Sequence, residues 1–523
     1  MKKTILISYL LCFYYPILCS ENGKKIGTIS LQRINIFDTT QSFSWIENIA
    51  NSSHILTQEH IIRRELLFQE NEILNDTLLL ETGRNLRKLG FIGDIEIKKN
   101  LRNDSLIDLD IVIHDKWTLN LNFSAKRQGG INNFSTSMSE DNFIGLGQSL
   151  SLGYNNISNR LNPHGIEAYF RDRRLLVPNY NIVIQYKNSE DLRIATLLLE
   201  DPFYTESDSW ADGVYLDQGV EKKRIYSKGT VEVEKYFRTN AQKVWAQYSI
   251  NWKYKIRLGS AYLVQKSEQD SLFQNIFDDT NLLNISLGIM NRSFIIDHNI
   301  NSIDRNEDIP LGYSLSFVLG KDIFKNKLYY ILSQLQISSM MWNTYFSNSV
   351  SLQGYVRDNN FQDATLSLST QAYTKLNAEN LVVARVNGIY GLKWNSSKQT
   401  FLDSPSGVRG LPSFSYSGNQ KIILNIEDRF ATNIHIWIFN IGGVLFSDFG
   451  IIGEQDKKIF SEKVYKSVGI GLRILNEKQQ GSGITRLDLA YNINNRAVEF
   501  IISTNQLFSA FNNIDIASPL SFQ

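Results

Sequence analysis

From Trp117 onward the chain repeats one pattern, runs of about ten alternating residues separated by clusters of Asn, Asp, Gly and Ser. A period of two puts successive side chains on opposite faces of a strand, so each run has one apolar face and one small or polar face. In Ser467–Arg473 the apolar set Val468, Ile470 and Leu472 alternates with Gly469, Gly471 and Arg473. In the next run Leu487, Leu489 and Tyr491 alternate with Arg486, Asp488 and Ala490. Further runs are Gln148–Tyr154, Asn181–Tyr186, Lys243–Lys255, Leu282–Ile289, Tyr313–Leu319, Ala364–Tyr373 and Leu381–Leu392. Such repetition predicts a transmembrane antiparallel β-barrel, lipid outside and a polar lumen within. At roughly 25 residues per strand plus loop, the span 117–508 accommodates about sixteen strands. A ring of that size is not filled by its own side chains, so something else must enter the lumen.

Composition supports strands over helices. Tyr (24) and Phe (29) are abundant and Pro (8) is scarce, as pleated half-buried surfaces favour. No apolar run approaches the roughly 20 residues of a spanning helix, which excludes a helical-bundle membrane protein. Lys+Arg 54 against Asp+Glu 53, a net charge of +1, gives no electrostatic case for nucleic acid. A soluble all-β protein also alternates, but the export signal, the aromatic content and the strand number favour the membrane.

Residues 1–20 read as a signal peptide: Lys2 and Lys3, an apolar stretch from Ile5 to Leu18, then the small Ser20. That stretch is too short to span a bilayer. Both cysteines, Cys12 and Cys19, lie within it, so a chain beginning after Ser20 has no thiol for a disulfide, zinc or nucleophilic site. Leu18 is poorly suited to a cleavage pocket, and equally to a lipid anchor on Cys19.

Residues 26–116 mix periods. Ile29, Leu31, Ile34 and Ile36 suggest a strand, and Ile61, Ile62, Leu66 and Leu67 a helix beginning at Thr57. A second helix has Asn75, Asp76 and Thr77 as N-cap candidates, Leu78, Leu79, Leu86 and Leu89 near one face, and Gly90 as its left-handed terminator. Two alternating runs follow, Ile92–Lys98 and Leu106–Ile113, joined by the turn-forming Arg102, Asn103 and Asp104. The order is β-α-α-β-β.

That order, with the run Leu86 to Ile92 leading into its second strand, resembles a POTRA (polypeptide-transport-associated) domain, present in one copy. The resemblance implies that extended peptides bind along a sheet edge. The segment ending Ile113-His114-Asp115-Lys116-Trp117 resembles the junction where such a domain enters a barrel.

Further on, Ser406-Gly407-Val408-Arg409-Gly410-Leu411-Pro412 is a loop by composition, with a single Arg flanked by glycines. In Lys421–Phe430, Ile422, Leu424 and Ile426 share one face and leave Glu427 and Arg429 on the other; Asp448 follows in Phe446–Gly450. This constellation is similar to the outer-membrane assembly-factor superfamily, which includes β-barrel assembly insertases and two-partner secretion pores. There a Val-Arg-Gly-aromatic loop folds into the lumen and its Arg pairs with acids on neighbouring strands. Val408, Arg409 and Gly410 match, with Gly407 beside them; Leu411 replaces the aromatic residue. Glu427 and Asp448 stand where the resemblance implies luminal acids, although Phe446 shares the parity of Asp448. Weaker matches are Asn142–Gly147 and Glu307–Gly312.

The resemblance implies an outer-membrane assembly or translocation factor: the POTRA domain in the periplasm captures client strands, and the barrel inserts or passes them. The implied lateral gate is the seam between Trp117, Leu119 and Leu121 near the first strand and Val498, Phe500 and Ile502 on the last, read as Val498 to Phe508, with a tail at 509–523. Implied partners are the outer-membrane bilayer, unfolded β-barrel or secreted clients, and accessory lipoproteins or periplasmic chaperones. The alternative is a dedicated two-partner-type secretion pore or passive channel. No cofactor and no enzymatic activity are expected: His54, His60, His114, His164, His298 and His435 have no metal-ligand spacing, His54 and His60 read as solvated, and nucleophile-elbow and phosphate-loop motifs are missing.

Overall fold

The computed structural model describes residues 24–37, 45–103, 105–128, 131–157, 162–176, 180–204, 208–251, 254–267, 279–303, 306–325, 327–394, 398–455, 457–476, 484–504 and 506–508. The expected signal peptide and the 509–523 tail lie outside the described residues.

The N-terminal domain runs β1 (Lys25–Ile34), α1 (Trp45–Ser53), α2 (Glu59–Arg63), α3 (Asp76–Lys88), β2 (Ile92–Asn103) and β3 (Leu106–Asp115). β3 is central, parallel to β1 and antiparallel to β2. Its alternation is strict, burying Ile107, Leu109, Ile111 and Ile113 against Ile61, Ile62, Leu79, Leu86 and Phe91. The Asn75 side chain caps α3 by accepting from the Thr77 amide at 2.9 Å, and Gly90, at φ 82°, turns the chain out of it. Among the described residues three helices stand where two were expected. The additional one, α1, is rich in Asn and Ser, a composition that reads as loop.

The barrel strands are β4 (Leu119–Gln128), β5 (Ile131–Glu140), β6 (Ser149–Ile157), β7 (His164–Leu176), β8 (Tyr180–Asn188), β9 (Leu192–Asp201), β10 (Trp210–Ser227), β11 (Thr230–Asn251), β12 (Lys255–Ser267), β13 (Asp279–His298), β14 (Asn306–Asp322), β15 (Leu328–Met341), β16 (Thr344–Arg357), β17 (Asn360–Lys375) and β18 (Asn380–Leu392). After a connection holding the short ribbon β19 (Thr400–Leu402) and β20 (Tyr416–Gly418) come β21 (Gln420–Ile436), β22 (Phe439–Gly453), β23 (Tyr465–Asn476), β24 (Ile484–Asn492) and β25 (Ala497–Thr504). Leaving aside the β19–β20 ribbon, strands consecutive in sequence are neighbours in an antiparallel ring, β18 pairing with β21, and β25 closes on β4.

The antiparallel barrel behind a small α+β domain is as expected, but among the described residues its ring has twenty strands, not about sixteen. Less chain goes into connections than the sequence estimate allowed. Two-residue turns at 228–229, 342–343, 358–359 and 437–438 join β10–β11, β15–β16, β16–β17 and β21–β22, and Lys228, Trp342, Asp358 and Trp437 take positive φ there. The run read as Lys243–Lys255 is divided between β11 and β12. Nor does the last strand reach Phe508: β25 ends at Thr504, and Phe508 is buried beside Ile300, Tyr373 and Val383.

The outer wall exposes Leu216, Val244, Tyr262, Ile285 and Leu319, whereas the opposite parity buries Asn284, Gln371, Arg473 and Asp488. A lipid-facing wall around a polar lumen has this distribution. Among the described residues no helix is long and apolar enough to cross a membrane, which says nothing about crossing with strands.

The N-terminal domain docks on one end of the barrel. Arg87 of α3 donates to both oxygens of Asp308 on β14 at 3.1 and 3.0 Å, and Arg174 of β7 donates to the Arg64 carbonyl at 2.7 Å and to Glu65 at 3.2 Å. The turn carrying Asn142–Gly147 is part of this joint: the Gln58 amide donates to the Gly145 carbonyl at 2.9 Å, and Asn142 donates to the Thr57 hydroxyl at 2.9 Å. In Glu307–Gly312, Glu307 accepts from the Ile300 and Asn301 amides, which fixes the turn beside Asp308. The His54 side chain, read as solvated, is buried against Asp115 at 3.2 Å.

Candidate functional site: a luminal clasp

The connection between β18 and β21 folds into the lumen and places Arg409 at its tip. Gly407 (φ 123°) and Gly410 (φ 83°) occupy backbone conformations disfavoured for residues with a Cβ, so the chain reverses on both sides of the arginine. Asp403 shapes the turn by accepting from the Ser406 and Phe414 amides. Val408 and Leu411 are then buried with Leu402, Ile423 and Ile452, which attaches the loop to the wall through apolar contact. Leu411, in the place of the aromatic residue, thus packs in this cluster. An aromatic contact forms three residues later: Phe414 stacks on Tyr226 at 4.3 Å and meets Phe401 edge-on at 5.1 Å. Gln399 bonds both backbone groups of Tyr226, at 3.0 and 2.8 Å, so the connection reaches from β18 to the β10–β11 hairpin across the ring.

Arg409 is fully buried. Its Nε and Nη2 donate to the two carboxylate oxygens of Asp448 on β22, each at 2.8 Å, while its backbone amide donates to the same carboxylate at 3.1 Å. Nη1 lies 2.8 Å from Glu427 on β21 and 3.6 Å from Asp488 on β24. The guanidinium carbon lies 3.5 Å from the Phe446 ring centroid. A planar fork meets carboxylates on two sides and a ring on its face, a combination available to Arg and not to Lys. This explains the parity conflict on β22: Phe446 and Asp448 both point inward because both touch Arg409.

The clasp extends further. Asn425 on β21 donates to the Gly407 carbonyl at 2.7 Å and to Asp448 at 2.8 Å; Asn492 on β24 donates to the Gly410 carbonyl at 3.0 Å; and Glu499 on β25 accepts from the Gly410 amide at 3.0 Å. Around it Arg429 pairs with Glu427 at 2.8 Å, and Arg473 and Arg486 pair with Asp488 at 2.6 and 3.2 Å. Glycines on the wall leave the space: a Cβ on Gly450 would stand 2.7 Å from Val408, one on Gly469 2.3 Å from Phe446, and one on Gly471 2.1 Å from Asp488. Arg409, Arg429, Arg473 and Arg486 thereby share Glu427, Asp448 and Asp488 in a confined volume, an arrangement suited to holding a loop.

All six residues expected at the lock, Gly407, Val408, Arg409, Gly410, Glu427 and Asp448, come together. Asn425, Phe446, Asp488, Asn492 and Glu499 join them, although the sequence reading gave them no place in the lock. Apart from Phe446, their signal was inward parity: Asp488 falls opposite the apolar set of its strand, as does Arg473 on the strand before it. The seam residues are placed on adjacent strands. Leu119 and Leu121 of β4 and Val498 and Phe500 of β25 are exposed, Ile502 is half-buried, and Trp117 precedes β4. Among the described residues no group of His, Cys, Asp and Glu could hold a metal ion.

No protein-family model matches the chain, and no curated protein does. Similarity to solved structures is remote. BamA from Haemophilus ducreyi lacking POTRA domains 1–3 is 13% identical with a TM-score of 0.39, over 91% of this chain and 83% of that one. CdiB from Escherichia coli is 10% identical with a TM-score of 0.45, over 92% and 74%. CdiB from Acinetobacter baumannii is 12% identical with a TM-score of 0.44, over 90% and 70%.

Proposed function

We propose that this chain is an outer-membrane assembly or translocation factor of a Gram-negative cell, exported by its leader, with the N-terminal domain acting as a periplasmic POTRA domain. The observation that carries this reading is the Arg409 clasp. It fastens an inward-folded loop to β21, β22 and β24 and, through Glu499, to the last strand, so the wall beside the seam is stiffened while the lumen is crossed by protein. The work then falls to the seam itself. β25, with 8 residues, is the shortest described strand of the ring and so brings the fewest backbone groups to the seam. Parting them exposes an edge that templates a client strand, bordered outside by Leu119, Leu121, Val498, Phe500 and Ile502, with Trp117 at its foot. In the N-terminal sheet β2 is an edge strand, and the proposed role for it is first capture of an extended client. Clients are unfolded β-barrel or secreted proteins; accessory lipoproteins or periplasmic chaperones deliver them. No catalytic step is proposed.

The test is reconstitution in liposomes with an unfolded outer-membrane barrel as client, following its protease protection. Faster client folding that depends on Arg409, shown by Arg409→Ala, supports the reading; absence of acceleration refutes it. The second reading, a secretion pore with the loop as a removable plug, is favoured by the reach of the loop to Tyr226. It predicts low single-channel conductance that rises when residues 407–412 are deleted.

A further inference from the structure

Where the outer wall meets the N-terminal domain, a groove of about 330 Å³ opens beside the start of β4. Its floor belongs to the wall. In register, Leu121, Met138 and Leu152 form one row, and Leu119, Glu140 and Leu150 form the row below it, the last before the 141–148 turn. Leu119, Met138, Leu150 and Leu152 line the groove and are exposed, while Asn120 and Ser149, of opposite parity, are buried toward the lumen. The groove is therefore continuous with the apolar outer face of the barrel. Ile55 of the N-terminal domain, Trp117, and Phe143 and Ile144 of the turn complete its apolar lining.

Two features of this groove are not accounted for by packing. Ile144 takes φ 48°, a conformation disfavoured for a β-branched residue, with its side chain exposed. Gln58 holds it there: its Nε2 donates to the Ile144 carbonyl at 3.1 Å and its amide to the Gly145 carbonyl at 2.9 Å. The second feature is Glu140, a carboxylate in register between two leucines on the outer side of the wall. Such a charge is costly at the bilayer midplane and tolerated at headgroup level, where a tryptophan such as Trp117 also belongs. Glu140 accepts from the Asn142 amide at 2.9 Å, which engages one of its two oxygens. No lysine or arginine is among the described lining residues, and the imidazole there, His54, is already engaged by Asp115 at 3.2 Å.

We infer that this groove holds one phospholipid bearing a primary ammonium, of the phosphatidylethanolamine class, from the leaflet adjoining the N-terminal domain. The ammonium donates to Glu140, and an acyl chain lies over Leu119, Met138, Leu150 and Leu152. The inference rests on the membrane reading of the barrel. A primary ammonium brings N–H donors to the carboxylate, whereas a trimethylammonium brings none, so a charge-assisted hydrogen bond separates the two headgroups. In a hydrated headgroup region that bond is worth roughly a five-fold preference.

The full chain carrying Leu121→p-benzoylphenylalanine, which flanks the groove without lining it, is reconstituted in equimolar phosphatidylethanolamine and phosphatidylcholine with the same acyl chains. After illumination the lipid adducts are weighed by mass spectrometry. The expected result is on the order of a five-fold excess of phosphatidylethanolamine adduct, against equal adducts from Trp210→p-benzoylphenylalanine, where β10 starts at the same end of the ring. Glu140→Gln keeps an acceptor for the Asn142 amide, and so preserves the turn, but brings the ratio at position 121 to unity; Glu140→Asp keeps part of the excess. An unchanged ratio in Glu140→Gln, or a preference for phosphatidylcholine in the parent, overturns the site. Loss of the excess on adding soluble glycerophosphoethanolamine assigns the groove to a free amine and overturns the lipid source. Crosslinking at 121 to another segment of the chain, while position 210 still captures lipid, gives the groove to that segment and overturns the proposal. If neither position captures lipid of either kind, the membrane reading itself has failed.

Discussion

Removing Arg409 should weaken the barrel by far more than losing a surface arginine, and its cost should depend on what stands at position 448. In Arg409→Ala, Asp448 keeps only neutral donors among its described hydrogen bonds, the backbone amide of residue 409 at 3.1 Å, Asn425 at 2.8 Å and Ser467 at 3.4 Å, in a site sealed from water. Stranding one partner of a buried pair costs about 3–5 kcal/mol, and losing the Phe446 ring face adds about 1 kcal/mol. Asp448→Asn is milder. Arg409 then keeps Glu427 at 2.8 Å and Asp488 at 3.6 Å, so the loss is about 2 kcal/mol, the worth of a charged hydrogen-bond pair beyond a neutral one. In the double variant no carboxylate is stranded at 448, so its cost should fall about 2 kcal/mol short of the sum of the two. Urea unfolding of the folded barrel in lipid vesicles, followed by tryptophan fluorescence, yields all three values. Costs that add within about 0.5 kcal/mol would show that the two side chains do not act as a unit and would refute the clasp as described.

Three further outcomes follow from particular contacts. Phe414→Ala removes the stack on Tyr226 and should cost about 1 kcal/mol where the loop meets the β10–β11 hairpin, seen as faster cleavage of the loop by added protease while the unfolding midpoint stays near the parent value. Gly471→Ala places a Cβ 2.1 Å from the Asp488 carboxylate and should lower stability by about 1–3 kcal/mol, whereas Gly388→Ala, with 3.8 Å to its nearest neighbour, should cost less in the same urea titration. In the N-terminal domain the Thr28 amide, with Arg102, holds the Asp108 carboxyl below its ordinary value of 3.8. A depressed acid contributes stability that is present above 3.8 and is lost as pH falls through the lower folded value, so acid unfolding of the domain should become less steep in Asp108→Asn when followed by circular dichroism.

The alternation of β21, β23 and β24 was legible because lipid and lumen impose opposite demands on alternate residues, and it correctly directed Glu427, Arg473 and Asp488 inward. The number of strands was not. Trp342 and Trp437 occupy two-residue turns at positive φ, and a tryptophan there carries none of the composition that marks a turn. Asp448 was ambiguous by pattern because an aromatic ring serving a guanidinium reads, in sequence, as an ordinary apolar residue. Phe508 read as the end of a strand for the same reason, although its ring packs inside near Arg429 at 5.0 Å.

The last strand bears loads from two directions. Glu499, near the start of β25, holds the Gly410 amide, and beyond its end Gln506 accepts from Arg473 at 3.1 Å and the Phe508 carbonyl from Arg429 at 3.3 Å. Arg429 and Arg473 share carboxylates with Arg409, through Glu427 and Asp488. A pull that peels β25 outward is therefore transmitted to the loop tip before the strand is free, and the loop in turn tethers the strand. Amide exchange at Gly410 should report that tension, rising when β25 is drawn from its neighbours even while every other bond of the loop is intact.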